Sequence, residues 1–405
     1  MEQLLRETIA SYEGDLLAFT TALVAIPTEN PPGVAYRACS ELIAQKLAQI
    51  GLEYTLLEIP APASSSPAAE PGYCILSTYG TGEQTLYFHG HYDVVPASDP
   101  AQFQPFVDGG KLFGRGSSDM KSGLAAMIGA MQALKACGVP LQGKIGLTIV
   151  PDEETGGQRG SQYLVEHGLL GQRGIGMLTA EPTGGVVWNA SRGAISLRVH
   201  VKGKPAHVGL HYEGVNAFEQ MVMVADALLD YKREISRRHT QFHIEPPAAR
   251  ASILLMGGQC AGGTNFNVVP SECSFTVDRR INPEENLAEE KQHLLELFDR
   301  LKQQGIDLEV EIFQEAPSSG VSETHPVAQA MAHSIKQVVG KTPIFAMCPG
   351  LLEIRWYVQQ RIPAFAYGPG LLTVSHGPQE YVPVEKIAEV ALIYALSAVQ
   401  LLGKD

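Results

Sequence analysis

The sequence predicts an α/β protein with a mostly parallel sheet, helices on both faces and a smaller α+β domain inserted into it. Short apolar runs alternate with helical patterns up to Ser191 and again from His325 onward. This alternation is typical of a parallel sheet that is covered on both faces. Between these two parts, strand-like runs alternate apolar and polar residues cleanly, which indicates an antiparallel sheet with one solvated face.

The first part contains most of the predicted strands. Residues 4–25 have apolar positions at helical spacing, residues 52–59 alternate like a strand, and the Pro-, Ala- and Ser-rich stretch from Pro60 to Gly72 predicts a surface loop. Further strands are predicted at YCILSTY, TLYFHGH, KIGLTIV and IGMLTAE. Helices are predicted at residues 119–137 and at about 159–168.

The second part has a different pattern. Strands are predicted at ISLRVHVKG, 251–256, 273–281 and DLEVEIF, and helices at 214–238 and about 283–304, the latter beginning at Asn282-Pro283. The chain ends in the helical pattern PVEKIAEVALIYALSAVQLL. We therefore predict a main α/β domain of residues 1–191 and 317–405, interrupted by an inserted α+β domain of residues 192–316.

Composition limits the class of function. The 405 residues are 45% hydrophobic and 18% charged, which predicts a large packed interior, and the net charge of −13 argues against nucleic acid as the main partner. The six cysteines are scattered without a C-x-x-C pair, so neither a disulfide scaffold nor a thiolate zinc site is expected. The start shows no signal-peptide pattern and no apolar run has membrane-spanning length, so we expect a cytoplasmic enzyme.

Polar residues follow several predicted strands. The strand TLYFHGH ends at His91, and Asp93, two residues later, could accept the other ring N–H of an imidazole that binds metal. In GRGSSDMKSG, Asp119 lies at the start of a predicted helix, where a simple helix cap is the alternative interpretation. A dinucleotide-binding loop is rejected there, because a carboxylate at the third-glycine position suits a cation and not a pyrophosphate.

Three further segments complete the set. In IVPDEETGG, a strand runs into Asp152, Glu153 and Glu154, which would ordinarily form a solvated loop but could also bind a cation and take a proton from water. Glu181 ends the strand of LTAEPTGG, and His376 lies in the loop of YGPGLLTVSHGPQEY. Together these residues offer oxygen and nitrogen ligands without thiolates, a set that suits two zinc ions bridged by one carboxylate.

These five segments, in this order, resemble the dinuclear-zinc deacylase and peptidase family, which includes acetylornithine deacetylase, succinyl-diaminopimelate desuccinylase, aminoacylase and glutamate carboxypeptidase. The resemblance covers nearly the whole chain and implies a zinc-exopeptidase-like fold. It implies that His91 and Glu181 bind one metal ion and Glu154 and His376 the other. Asp119 then bridges the ions, Glu153 is the general base and Asp93 supports His91. The ions implied are zinc, with cobalt or manganese as alternatives.

The inserted domain also resembles the dimerisation and lid domain of this family. KGKPAHVGLHYEGVNA is similar to the motif whose histidine, here His207, reaches the partner subunit's active site and donates to the oxyanion. In GGTNFNVVPSECSFTVDRRINP, Asn267 and Arg280 would hold the substrate's carboxylate. The chain departs from relatives at Gln379-Glu380 and at Glu353-Ile354-Arg355, where Arg355 is a second candidate anchor. His89 could line the pocket or act like His91.

The resemblance implies a homodimer that hydrolyses the amide bond of a small N-acylated amino acid with metal-activated water. Glu181 favours a deacylase, because several peptidase relatives have Asp at that position. A metallo-dipeptidase or carboxypeptidase is the alternative within the same chemistry. An inactive binding protein is the alternative from another class. The identity of the acyl group and of the amino compound stays open.

Overall fold

A computed structural model describes residues 1–61 and 69–403. Most of the predicted surface loop from Pro60 to Gly72 lies outside these residues. The strands are β1 (Tyr54–Ile59), β2 (Gly72–Gly80), β3 (Thr85–His91), β4 (Phe106–Asp108), β5 (Lys111–Phe113), β6 (Lys144–Val150), β7 (Gly174–Thr179), β8 (Val187–Ser191), β9 (Gly193–Lys202), β10 (Ile253–Gly262), β11 (Glu272–Ile281), β12 (Leu308–Ala316), β13 (Ser319–Gly320), β14 (Phe345–Cys348), β15 (Ala364–Ala366) and β16 (Tyr381–Pro383). The helices are α1 (Glu2–Ser11), α2 (Glu13–Val24), α3 (Tyr36–Gln49), α4 (Ser122–Ala136), α5 (Tyr163–Glu166), α6 (Ala217–Ile235), α7 (Leu287–Gln303), α8 (Pro326–Val339), α9 (Ile354–Val358) and α10 (Val384–Leu402).

The chain forms two compact units. The α/β unit comprises Met1–Asn189, Val321–Ala346 and Trp356–Asp405, and the inserted unit comprises Ala190–Gly320 and Met347–Arg355. The sequence placed residues 347–355 in the α/β part, whereas in the structure they group with the inserted unit. The predicted domain limits at 191/192 and 316/317 stay a prediction.

The α/β unit is built on a sheet with the strand order β1-β2-β6-β3-β7-β15-β8. The four central strands β6, β3, β7 and β15 run parallel, and antiparallel pairs lie on either side of them. Every residue of β3 is buried, so both faces of the sheet are covered at this strand. The predicted α/β fold with a mostly parallel central sheet is confirmed.

The helices of this unit form one core with the sheet. Apolar side chains of α1, α4, α8 and α10 join those of β3 and β6 in a single buried cluster. The helix predicted over residues 4–25 is in fact two helices, because the backbone leaves the helical region at Tyr12 (φ −128°, ψ 26°). The helix predicted at about 159–168 is also shorter, since only Tyr163–Glu166 is α-helical.

The inserted unit contains an antiparallel sheet with the order β10-β11-β9-β12 and the two helices α6 and α7. Inward residues of β9 and β11 alternate with polar ones and pack against the apolar faces of both helices. Helix α7 does not begin at Asn282-Pro283, as the sequence predicts, but at Leu287, where the side chain of Asn286 accepts hydrogen bonds from the backbone N–H groups of Ala288 and Glu289. In the described part of the chain, no helix combines the length and apolar character needed to cross a membrane.

Candidate metal centre

Three predicted ligands lie at the carboxyl ends of the central parallel strands. His91 is the last residue of β3, Glu181 lies two residues after β7, and Glu153 and Glu154 form a short 3-10 turn after β6. Parallel neighbours end at the same edge of a sheet, which is where open α/β sheets bind ligands. Strand β7 ends at Thr179, so Glu181 lies just after the strand and not within it, as the pattern IGMLTAE had suggested.

Asp119 lies in an irregular turn before α4, so the helix predicted over 119–137 begins only at Ser122. Helix α4 and the turn before it pack closely against the ends of β3 and β7, because glycines at the contacts leave room for the neighbouring atoms. A Cβ on Gly123 would lie 2.3 Å from the carbonyl oxygen of Ala180, next to Glu181. A Cβ on Gly90 would lie 2.7 Å from the Met120 side chain, next to His91. These two glycines bring the turn that carries Asp119 against β3 and β7.

His376 comes from the loop between β15 and β16, far along the chain. Its backbone has φ +63°, in the left-handed region that non-glycine residues rarely adopt. Such a conformation persists only where its surroundings hold it. The imidazole is about half exposed, and its Nε2 lies 3.2 Å from Oε1 of Glu154 and 3.4 Å from Oδ2 of Asp119.

The ligand atoms form two groups that share Asp119. One group is His91, Asp119 and Glu181, the other is Asp119, Glu154 and His376, and within each group the candidate atoms lie within 4.8 Å of one another. In the first group, Nε2 of His91 is 3.4 Å from Oδ1 of Asp119 and 3.9 Å from Oε1 of Glu181. Asp119 thus directs one carboxylate oxygen at each imidazole.

These separations fit metal coordination. Two atoms bound tetrahedrally to zinc at the usual distances of 2.0–2.1 Å are separated by about 3.3 Å. Three of the four imidazole–carboxylate distances are 3.2–3.4 Å, and the fourth is longer at 3.9 Å. Nε2 of His91 and Oε1 of Glu181 are both buried without a hydrogen-bond partner. Buried polar atoms of this kind need an explanation, and a shared cation provides it.

The electrostatic field of the cluster is negative. Burial disfavours the charged form of His91, but Asp119 and Asp93 outweigh burial and raise the pKa of this imidazole well above its ordinary value. Asp119 and Glu154 raise the pKa of His376 to about 10. Burial, opposed by His91 but reinforced by neighbouring carboxylates, raises the pKa of Glu181 well above its usual range. A region in which carboxylates oppose one another's ionisation attracts divalent cations.

Asp93 organises the acidic turn as well as His91. Its carboxylate accepts hydrogen bonds from the backbone N–H groups of Glu153 and Glu154, both at 3.1 Å. Nδ1 of His91 lies 3.0 Å from the backbone oxygen of Asp93 and 3.3 Å from its carboxylate. These contacts hold the ring so that Nε2 faces Asp119. Glu153 belongs to neither ligand group, and its Oε2 lies 4.0 Å from Nε2 of His91.

Two neighbouring polar residues have other partners. Asp152 has a backbone φ of +74° and pairs with the guanidinium of Arg159 at 2.9 Å. His89 is buried, with Nε2 3.2 Å from the Ser161 hydroxyl and Nδ1 3.2 Å from the Tyr357 hydroxyl. The suggestion that His89 acts like His91 is therefore wrong, because both of its ring nitrogens are engaged elsewhere.

Three residues of the site have no role in the sequence analysis. The Asn30 side chain donates to Asp93 and Asp152, and the Glu380 carboxylate accepts from the backbone N–H of Asp119. Arg115 pairs with Glu380 at 2.6 Å. Glu380 was noted only as the residue after Gln379, and Asn30 only belongs to a Pro- and Gly-rich segment. Neither position has a local signal, because their partners lie far away in the sequence.

The remaining predicted site residues lie in the inserted unit. His207 is exposed, and its Nδ1 accepts a hydrogen bond from Gly209. The next residue, Val208, donates its backbone N–H to the carbonyl of Asn267, so the structure places the His207 and Asn267 segments side by side. Arg280 lies on β11 and pairs with Asp278 at 2.9 Å, and Arg355 is buried with Glu353 at 3.6 Å.

Relatives with similar sequences carry one recurring name. The chain is 29% identical over 294 residues to a probable succinyl-diaminopimelate desuccinylase of Staphylococcus epidermidis, which covers 67% of this chain and 69% of the relative. It is 27% identical over 355 residues to a succinyl-diaminopimelate desuccinylase of Alkalilimnicola ehrlichii, which covers 84% and 87% of the two chains.

Solved structures with the same fold are more distant in sequence. A dipeptidase of Saccharomyces cerevisiae, Dug1p, matches 99% of this chain and 98% of its own at a TM-score of 0.77 and 17% identity. A dinuclear metal-binding peptidase of Bacillus subtilis from the M20 family matches 97% and 99% at a TM-score of 0.68 and 16% identity. At these identities the matches show the fold alone.

The sequence profile of one family covers most of the chain, residues 87–400. This range includes all five candidate metal ligands and Glu153, and the family named by the profile is the one that the motifs resembled. The predicted resemblance and the assignment to the amide hydrolases are therefore confirmed. The chain belongs to peptidase family M20/M25/M40.

Proposed function

We propose that this protein hydrolyses the amide bond of a small N-acylated amino acid, with two zinc ions and Glu153 as the general base. The observation that carries the proposal is the position of Asp119, whose two carboxylate oxygens each lie 3.4 Å from a different imidazole. In the proposal His91, Asp119 and Glu181 bind one ion, and Asp119, Glu154 and His376 bind the other. Cobalt and manganese are the alternatives to zinc, since metal supply also decides occupancy.

Two divalent ions at this site would lower the pKa of a water molecule and polarise the substrate carbonyl. Glu153 is suited to take the proton, because it lies beside the ligands without belonging to either group. Its backbone is held by Asp93, so its position is set independently of its own carboxylate. Glu153 then passes the proton to the leaving amine.

The substrate's carboxylate is assigned to residues of the inserted unit. The side chain of Arg280 is 28% exposed, and planar guanidinium groups bind carboxylates through two parallel hydrogen bonds. Asn267 is the second contact in the proposal. Arg355 is a further candidate and is best tested separately, because it is buried beside Glu353.

The proposed substrate class is that of the deacylases. The relatives named succinyl-diaminopimelate desuccinylase support it, as does Glu181 in place of Asp. The alternative, a dipeptidase or carboxypeptidase, is supported by the fold of the yeast dipeptidase. N-acetyl, N-succinyl and N-formyl amino acids assayed beside dipeptides would separate the two. A kcat/KM that is higher for dipeptides than for every acylated amino acid would refute the deacylase assignment.

We propose that the inserted unit mediates a homodimer in which His207 acts on the partner subunit's substrate. Exposed apolar side chains on one helix and on the edge strand β10 support this surface, namely Phe218, Val222, Met223, Ile253 and Leu255. Analytical ultracentrifugation would measure the assembly. The proposed setting is the cytoplasm, which is supported by six cysteines that are scattered along the sequence without a C-x-x-C pair. If the purified protein contains no metal and hydrolyses no amide, the alternative of an inactive binding protein is favoured instead.

A further inference from the structure

Glu380 is a buried carboxylate next to the proposed centre, but it belongs to neither ligand group. It is 2% exposed. Its Oε1 accepts hydrogen bonds from the backbone N–H groups of Ser118 at 2.9 Å and Asp119 at 3.0 Å. Its Oε2 accepts from Nη1 of Arg115 at 2.6 Å. One carboxylate oxygen is therefore used by the turn before α4 and the other by the guanidinium of Arg115.

These contacts determine what the Asp119 side chain can do. An Asp that caps a helix uses its carboxylate to accept backbone N–H groups two or three residues further along, which occupies its oxygens. Neither the turn Ser117–Lys121 nor α4 has a side-chain cap. Glu380 takes the N–H groups at residues 118 and 119 from outside the helix. These two hydrogen bonds hold the backbone at Asp119, and both oxygens of its carboxylate are directed at His91 and His376.

Arg115 extends the same contact to a second ligand. Its Nη1 donates to Glu380, and its Nη2 donates to the backbone carbonyl of His376 at 3.1 Å. That carbonyl belongs to the residue held at φ +63°, so the hydrogen bond stabilises a backbone conformation that a non-glycine residue rarely adopts. One guanidinium thus connects the carboxylate that holds the backbone of Asp119 with the loop that presents His376.

We propose that Glu380 and Arg115 are positioning residues that set the geometry of Asp119 and His376 for metal binding. The inference rests on the proposed metal centre and adds two residues to it. Both members of this ion pair are buried: the side chain of Glu380 is 1% exposed and that of Arg115 is 2% exposed. A buried ion pair contributes little net stability against an apolar replacement, so its value here lies in the arrangement that it specifies.

The test is a calorimetric titration of Zn²⁺ into metal-depleted full-length protein. The variant is Glu380→Gln, which leaves one acceptor oxygen but directs an amide N–H₂ either at Arg115 or at the backbone N–H groups. We expect zinc affinity to fall about 10- to 100-fold, as is usual when a partner of a metal ligand is changed. Glu385→Gln is the matched control, because Glu385 is an exposed carboxylate five positions along the chain and should bind zinc like the unchanged protein.

Tryptophan fluorescence and circular dichroism, recorded at the temperature of the titration, establish that each variant is folded, so that the affinity reports geometry and not unfolding. If Glu380→Gln does not fold, Arg115→Lys replaces it, since lysine keeps the charge but cannot contact Glu380 and His376 with two separate nitrogens. Its control is Arg173→Lys, at an exposed ion pair with Glu83. A folded test variant with unchanged affinity for both ions overturns the proposal. If the unchanged protein binds no Zn²⁺, the metal centre itself fails instead.

Discussion

The side chain of Asn30 lies between two buried acids and offers a quantitative test of how the acidic turn is held. Its amide nitrogen is 2.9 Å from Oδ2 of Asp93 and 3.1 Å from Oδ1 of Asp152. All three residues are buried. Asn30→Asp replaces the side-chain amide with a third carboxylate, so that the two hydrogen bonds to Asp93 and Asp152 become repulsions between like charges.

The cost follows from these distances. Two unit charges at about 3 Å repel by about 5 kcal/mol at an effective dielectric constant of about 20. The introduced acid avoids this by binding a proton, which costs about 1.4 kcal/mol for each pH unit above its ordinary pKa of about 3.9. We therefore expect a loss of about 4 kcal/mol of unfolding free energy at pH 7 and about 1.5 kcal/mol at pH 5. The sign follows because the folded pKa is raised above the unfolded one, so the destabilisation grows as the pH rises.

Urea unfolding followed by tryptophan fluorescence measures this loss. The chain has two tryptophans, Trp188 and Trp356, and both lie in the α/β unit with Asn30. Asn286→Asp is the matched control, because an exposed helix cap accepts Asp as readily as Asn and a helix N-terminus favours negative charge. A loss below about 1 kcal/mol at pH 7, or a loss that does not shrink at pH 5, would refute the reasoning about like charges.

Two further predictions concern the proposed chemistry. Glu153→Gln should lower kcat about 10²- to 10⁴-fold, which is the usual contribution of a general base. Metal analysis should still find two ions per chain. Loss of the ions would mean that Glu153 is a ligand instead. His207→Ala should lower kcat about 10²- to 10³-fold with unchanged metal content, as expected when one oxyanion donor is removed. If His207 acts across subunits, mixing this variant with Glu153→Gln should restore part of the activity. No recovery in mixed dimers would contradict the action in trans.

The strands that carry the ligands could be predicted because their signal is local. KIGLTIV matches β6 at both ends, and TLYFHGH matches β3. Buried parallel strands appear as continuous apolar runs, and a polar residue directly after such a run lies at the ligand-binding edge of the sheet. This pattern leads to the candidate ligands His91, Glu154 and Glu181.

Helix starts were predicted less well, because several residues compete to cap them. Asn282-Pro283 has the local pattern of a helix start, yet the side chain of Asn282 accepts from Arg192 and donates to the carbonyl of Arg250 instead. The helix begins after Asn286. At α4 the carboxylate that binds the N–H groups of the preceding turn comes from Glu380, 261 positions after Asp119. No window of local sequence contains that information.

The acids of this site differ in what their carboxylates bind. Asp119 and Glu154 direct their oxygens at imidazoles, whereas Asp93 and Glu380 direct theirs at the backbone N–H groups of those two residues. Glu380 and Asp93 thereby hold the backbone from which the carboxylates of Asp119 and Glu154 are presented. The division between acids that bind backbone and acids that face the ligand cluster is therefore decided by contacts over long sequence distances, and residue type alone does not separate them.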